Sequence, residues 1–244
     1  LSIVSIYYLY NSGFCVESEF SIFIFDYFYD KSESGNRSLS GGVISDELLK
    51  SKKDIYVFVS HNHSDHFNPV IFDWIKVNPN IKYILSSDVK AKSNFKKYTT
   101  LSCGETIECG DLYIKAYGST DEGISFFIKQ NDITMFHAGD LNWWHWKEDS
   151  KEDNLNAEKW FKREIDRLKS KKIDIAFFPV DPRQEEYYYL GGEYFINNVK
   201  PKFFIPMHFG NNPEIIHEFS THIQNYNTRI IEIDKRGFNV KIEL

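Results

Sequence analysis

The chain has 244 residues, 42% hydrophobic and 17% aromatic, with a formal charge of −6. That apolar content argues against disorder and is enough to core one domain over residues 1–244. Acidity with both signs scattered argues against a surface that tracks phosphates, so a small-molecule substrate is expected and a nucleic acid is not.

Cys15, Cys103 and Cys109 show no C-x-x-C spacing, which predicts reduced thiols and a cytoplasmic setting. Residues 1–10 are apolar but lack a basic leading segment, so they read as a first strand. No apolar run reaches the length of a membrane span, so no membrane partner is expected, and the sequence leaves the oligomeric state open.

In chain order, residues 3–9, 14–17 and 21–28 are rich in β-branched and aromatic side chains and predict an opening meander, with Asn11-Ser12-Gly13 as a hairpin turn. Residues 30–42 read as a polar loop leading to a short helix near 46–50. The near-continuous apolar run 54–60 predicts a strand covered on both faces. A helix from Pro69 to about Lys76 and a strand at 81–85 follow. Strands are expected around 112–117, 124–129 and 133–137, with turns at Cys109-Gly110-Asp111 and Gln130-Asn131-Asp132.

Residues 151–170 carry Leu155, Trp160, Ile165 and Leu168 near helical spacing and predict an amphipathic helix. Beyond it come a buried strand at 173–180, a helix at 188–199, a strand at 203–206 and a helix at 213–226 opened by a proline. Residues 229–233 and 238–242 predict a closing hairpin. No internal repeat is visible. Strands first, then strands mixed with helices, suit two sheets with helices outside, an α/β arrangement.

His61, His63, Asp65 and His66 put three imidazoles and a carboxylate within six positions, a density suited to Zn²⁺, Mn²⁺ or Fe. In an extended loop His61 and His63 point the same way and can grip one ion, while Asp65 and His66, past the bend, grip a second. The same donor types recur where later strands run out, as Asp140 in Phe136-His137-Ala138-Gly139-Asp140 and as His208 in Ile205-Pro206-Met207-His208.

Here the chain resembles the metallo-β-lactamase superfamily, whose H-x-H-x-D-H signature it matches at all four fixed positions, and the resemblance covers nearly its whole length. It implies a four-layer αββα sandwich, with Asp140 bridging two metals and His208 completing the second site. Phe178-Pro179-Val180-Asp181 and Pro206-Met207-His208-Phe209-Gly210 are most similar to the ascorbate-phosphate-lactonase-like branch. One departure stands out: the family places a third histidine in a G-H-T-like turn, and the matching stretch from Tyr117 to Gly123 has none. Either Asp121 or a water stands in, or the chain works with one ion held by Asp65, His66, Asp140 and His208.

The expectation is a metal-dependent hydrolase with one or two divalent ions, zinc first and manganese or iron next. A metal-bound hydroxide would attack an ester, lactone or phosphodiester of a small metabolite, with Asp65 directing it. An iron-dependent oxygenase or nuclease on the same scaffold, and a degenerate non-catalytic metal-binding protein, are the alternatives. Trp143-Trp144-His145-Trp146, just after Asp140, is expected to form an aromatic lid that shapes a substrate pocket, with His145 as a substrate contact, Asp181 and Arg183 on the rim and Arg183 gripping an anionic group. Asn11 and Ser12 also fall near the cleft. His137 is expected inside, behind the ligands, and His217 and His222 in solvent.

Overall fold

The computed structural model describes residues 2–32, 35–91, 95–223 and 227–244. By its contacts the chain divides into two compact units, one of Leu1–Ser102 with Asp234–Leu244 and one of Cys103–Ile233.

The first unit opens with the expected meander, β1 (Ile3–Tyr10), β2 (Gly13–Glu17) and β3 (Ser21–Phe25), each antiparallel to the next. The turn between β1 and β2 needs Asn11 at φ 52°, which asparagine tolerates better than most residues. Gly13 follows because a Cβ there would lie 2.9 Å from the Tyr10 carbonyl oxygen. The apolar runs continue as β4 (Asp54–Val59) and β5 (Lys82–Ser86), then β6 (Tyr98–Leu101), with β3 to β6 pairing in parallel. Strand Asn239–Glu243 returns antiparallel to β1 and completes seven strands.

One face of this sheet packs Ile22, Ile24, Val57, Val59 and Leu85 against Ile71, Phe72 and Trp74. The last three lie on Pro69–Lys76, which Asn68 caps by accepting from the Val70 amide. This segment is the helix expected from Pro69 to about Lys76, wound as a 3-10 helix. Helix α1 (Asp46–Leu49) is the short helix predicted near 46–50, and its cap is the Ser45 hydroxyl, which accepts from the Leu48 amide.

The second unit repeats this pattern of pairing. Strands β7 (Thr106–Cys109), β8 (Leu112–Tyr117), β9 (Ser125–Gln130) and β10 (Ile133–His137) form an antiparallel meander, and β11 (Ile175–Pro179), β12 (Phe203–Met207) and β13 (Arg229–Ile230) add in parallel after β10. Cys109 pairs with Leu112 and Gln130 with Ile133, leaving two-residue turns in which Gly110 (φ 64°) and Asn131 (φ 51°) take the left-handed backbone. Both turns were legible in the sequence. Helices α2 (Lys151–Asp166), α3 (Leu190–Val199) and α4 (Glu214–His222) complete the unit. Stacked rings of Phe136, Phe178, Phe195, Phe204 and Phe219 bind α3 and α4 to the sheet.

Three expectations are corrected, and two strands that the sequence did not announce appear. Residues 229–233 and 238–242 do not form a hairpin: β13 pairs with β12 in the second unit, and Asn239–Glu243 pairs with β1 in the first. The buried stripe of α2 is Asn154, Phe161 and Ile165, while Leu155 and Trp160 face solvent. Strands β6 and β7 carry few large apolar residues and gave no period-two signal. The predicted helix at 213–226 ends at His222, and its last positions, 224–226, lie outside the described residues, as do 33–34 in the predicted polar loop. No described helix is long and apolar enough to cross a membrane.

Candidate metal centre

In the first unit, parallel β4 runs out at Val59 and delivers Ser60 and the loop His61-Asn62-His63-Ser64-Asp65-His66. The rings of His61, His63 and His66 gather there, with centroids 4.6 Å apart for His61 and His63 and 4.1 Å for His61 and His66. Behind them lies Asp26, the residue just after β3, 1% exposed and with φ 42°. Its carboxylate accepts from the Ser60 amide (2.8 Å), the Ser60 hydroxyl (2.6 Å) and His66 Nδ1 (2.8 Å).

These bonds fix protons. A carboxylate only accepts, so His66 carries its hydrogen on Nδ1 and keeps its lone pair on Nε2. The Ser60 proton goes to Asp26, so the contact of 2.9 Å between Ser60 Oγ and His61 Nδ1 has His61 as donor, and His61 likewise keeps its lone pair on Nε2. One buried carboxylate thus holds two imidazoles in the tautomer that a divalent ion would need, a support commonly found behind metal-binding histidines.

The loop is also held from its outer side. Asp88 accepts from the Asn62 amide (2.9 Å), and Asn62 Oδ1 accepts from the Lys90 amide (3.0 Å). Asp65, with its side chain 47% exposed, has Oδ2 3.7 Å from His66 Nε2 and accepts at 3.4 Å from Asn11 Nδ2, so the first hairpin does reach this loop.

In the second unit, β10 ends at His137 and β12 at Met207, and the chain turns sharply after each, with Gly139 at φ 54° and His208 at φ 64°. A histidine in that left-handed region is strained backbone of the kind found where a side chain is held for a purpose. The turns bring His208 Nε2 to 3.4 Å from Asp140 Oδ1. His208 Nδ1 donates to Asp181 at 3.0 Å, so it too keeps its lone pair on Nε2. Burial pushes the Asp181 carboxyl up, but the bonds from His208 and Arg183 outweigh it and hold the group below its ordinary value.

The sequence-predicted residues fall into place unevenly. Asp181 is 1% exposed and accepts from His208 and from Arg183 Nε and Nη2. Trp143 packs on Phe161 and Tyr194, under the Lys162 ammonium. Its neighbour Trp144 instead meets His208, edge to face at 5.8 Å, and donates Nε1–H to the Asp140 carbonyl. His145 packs tilted against Tyr187, with ring centroids 4.0 Å apart. His137 is interior and accepts from the Gly139 amide at Nδ1, and His217 is exposed beside Glu232.

Sequence reasoning passed over Asp26, Asp88, Asn142 and Gln184. Asp26 follows an apolar strand much as Asp140 does, but nothing near it in the sequence marks it as the partner of Ser60 and His66. In the turn where the resemblance calls for a third histidine, Ser119 and Thr120 are buried and Asp121 is exposed. Thr120 Oγ1 donates to the Asn142 carbonyl (2.6 Å) and accepts from its amide (2.9 Å), which ties this turn to the segment after Asp140.

No protein-family model matches the sequence, and no curated protein matches it. Solved structures do. Igni18, a metallo hydrolase from the archaeon Ignicoccus hospitalis, is 13% identical over 99% of both chains with a TM-score of 0.65. YhfI from Bacillus subtilis, a metallo-β-lactamase fold protein, is 13% identical over 99% of this chain and 100% of its own, TM-score 0.64. The chain has the metallo-β-lactamase fold, the expected αββα sandwich. CmlA, a diiron β-hydroxylase from Streptomyces venezuelae, shares it at 11% identity and a TM-score of 0.63, over 100% of this chain and 54% of its own.

Proposed function

We propose that the chain is a metal-dependent hydrolase. The observation that carries the reading is the donor set. His61, His63 and Asp140 make one group of potential ligands, and Asp65, His66 and His208 make another. Imidazoles with carboxylates suit Zn²⁺ first, and Mn²⁺ or Fe next. The fixed tautomers fit this use, because His61, His66 and His208 each turn Nε2 away from the hydrogen bond that holds Nδ1. Asp121 belongs to neither group, so the first is a three-ligand site and the second, with Asp140 3.4 Å from His208, is the stronger holder of a single ion.

A divalent ion held there would supply Lewis-acid polarisation of a carbonyl or phosphoryl oxygen and acidify a water. The protein's part is positional. Asp65, steadied by Asn11, orients the attacking water and takes its proton. Asp26 and Asp181 keep the imidazoles in register. Trp144, His145, Asp181 and Arg183 form the substrate side of the site in the second unit, with Trp143 packed behind them on Phe161 and Tyr194. The substrate class extends to esters, lactones and phosphodiesters of small metabolites, with a lactone favoured by the resemblance to the ascorbate-phosphate-lactonase-like branch, and the setting is the cytoplasm.

Elemental analysis of purified protein, run beside hydrolysis of lactone, ester and phosphodiester probes, tests this. One or more equivalents of zinc or manganese with turnover that chelation abolishes is the expected result, and metal below a tenth of an equivalent with no turnover overturns it. A second reading, an iron-dependent oxygenase, draws on the shared fold of CmlA; bound iron with consumption of dioxygen would select it.

A further inference from the structure

We propose that Asp88 is the positioning residue and counter-charge of the ion that His61 and His63 would hold, so that this ion's retention depends on a carboxylate outside the ligand set. This rests on the metal-dependent reading above and deepens it.

The placement follows from the sheet. Strands β4 and β5 run parallel, with Val59 beside Leu85, so the chain leaves both at the same edge and residues 60–62 pass alongside 86–88. The turn after β5 is anchored: the Val89 amide donates to the Ser86 carbonyl (3.0 Å), and the Val89 side chain is buried in the core of the unit. Asp88 is thereby held against the metal loop. Its Oδ2 accepts from the Asn62 amide at 2.9 Å, and Asn62 Oδ1 accepts in return from the Lys90 amide at 3.0 Å. Both bonds meet at the residue between His61 and His63, so this clasp fixes the bend that carries the two imidazoles.

The charge of Asp88 is not matched locally. Its Oδ1 is buried with no hydrogen-bond partner, and no lysine or arginine pairs with the carboxylate among the described residues. A half-buried carboxylate with one oxygen unmet costs stability in the metal-free protein. A divalent ion on the loop offsets that cost. The group of His61, His63 and Asp140 offers two neutral imidazoles and a single carboxylate, which neutralises only half of the ion's charge. With no third histidine in the turn from Tyr117 to Gly123, a nearby negative charge bears more of the ion's retention than it would in a fuller site. His66 and His208, in the other ligand group, are backed by Asp26 and Asp181 instead. Asp88 therefore acts on one ion and not on both.

The experiment titrates the metal-free protein with Co²⁺, read by visible absorption and by calorimetry, and unfolds it in urea. Wild type is expected to take two ions, one of which His63→Ala removes. Asp88→Asn keeps an acceptor for the Asn62 amide but loses the charge. It should weaken that same ion about tenfold, leave the other within about twofold, and hold or raise the metal-free urea midpoint. Asp88→Ala, which loses the bond as well, should weaken the ion about a hundredfold and lower the midpoint. A role in stability alone would lower the Asp88→Asn midpoint and move both ions together or neither. Either result overturns the proposal, as does a wild type that takes fewer than two ions. Two bound ions without hydrolysis of any probe would sink the hydrolase reading and leave Asp88 in its role, whereas turnover with an Asp88→Asn protein that holds both ions as wild type does would sink the role of Asp88 alone.

Discussion

The two units pair their strands by one scheme, three antiparallel pairs followed by three parallel ones, yet they hold their ligands differently. The first unit gathers four candidate ligands on one short loop and backs two of them with Asp26, whose partners are a buried backbone amide, a hydroxyl and an imidazole. The second draws Asp140 and His208 from two strand ends far apart in sequence and backs His208 with Asp181, whose other partner is the exposed Arg183. Parallel strand ends supply positions, and the residues behind them decide how rigidly each position is fixed.

Removing the two backing carboxylates breaks the comparison most directly. Asp26→Ala strands three buried donors and is expected to cost about 3–5 kcal/mol in denaturant unfolding, at roughly 1–3 kcal/mol for each orphaned polar group. Asp181→Ala should cost less, about 1–3 kcal/mol, because the Arg183 side chain, 64% exposed, can turn to water, which leaves His208 and the part-buried Arg183 amide to find new partners. Equal losses would show that the two supports are equivalent. The milder Asp26→Asn should weaken zinc binding roughly 10–100-fold, as loss of such partners commonly does, measured by competition with a chelator.

Acid sharpens the contrast. Asp174, at the far ends of the second unit's parallel strands, accepts from the Thr134 amide and hydroxyl and pairs with Lys202. Burial pushes its carboxyl up, but these partners outweigh it and hold the group below its usual range. A depressed folded value means its stabilisation is present above about pH 4, the unfolded carboxyl's range, and is lost as pH falls through the folded value. Urea midpoints of the protein should therefore fall more steeply below pH 4 than those of Asp174→Asn.

Smaller effects are expected where contacts are long or wet. Asn11→Ala loosens Asp65 across a 3.4 Å bond and should lower kcat/KM about threefold with metal content intact. Lys147→Ala removes a solvent-exposed ion pair and should shift stability by less than about 0.5 kcal/mol.

How much of this was legible depends on how local each feature is. The loop from His61 to His66 could be read because its donors are adjacent, and the turns at Gly110 and Asn131 because their backbone demands particular residues. Asp140 and His208 could be read because each closes an apolar run. Asp26 could not be assigned, since a lone acid at a strand end looks alike whether it backs a ligand or faces water, and its partners Ser60 and His66 lie 34 and 40 positions away. Trp143 and Trp144 differ only in which way the chain twists after Asp140. The destinations of β13 and Asn239–Glu243 were hidden for the same reason, because strand character says nothing of which sheet a strand joins.

The return of Asn239–Glu243 to β1 bears on how the chain is made. During synthesis the opening strand leaves the ribosome more than two hundred residues before its outer neighbour, so β1 waits with one row of amides and carbonyls unmatched while the whole of Cys103–Ile233 is being translated. A nascent chain paused in that interval would be open to sticking edge to edge with its neighbours on a polysome, and strand Asn239–Glu243 acts as a late seal.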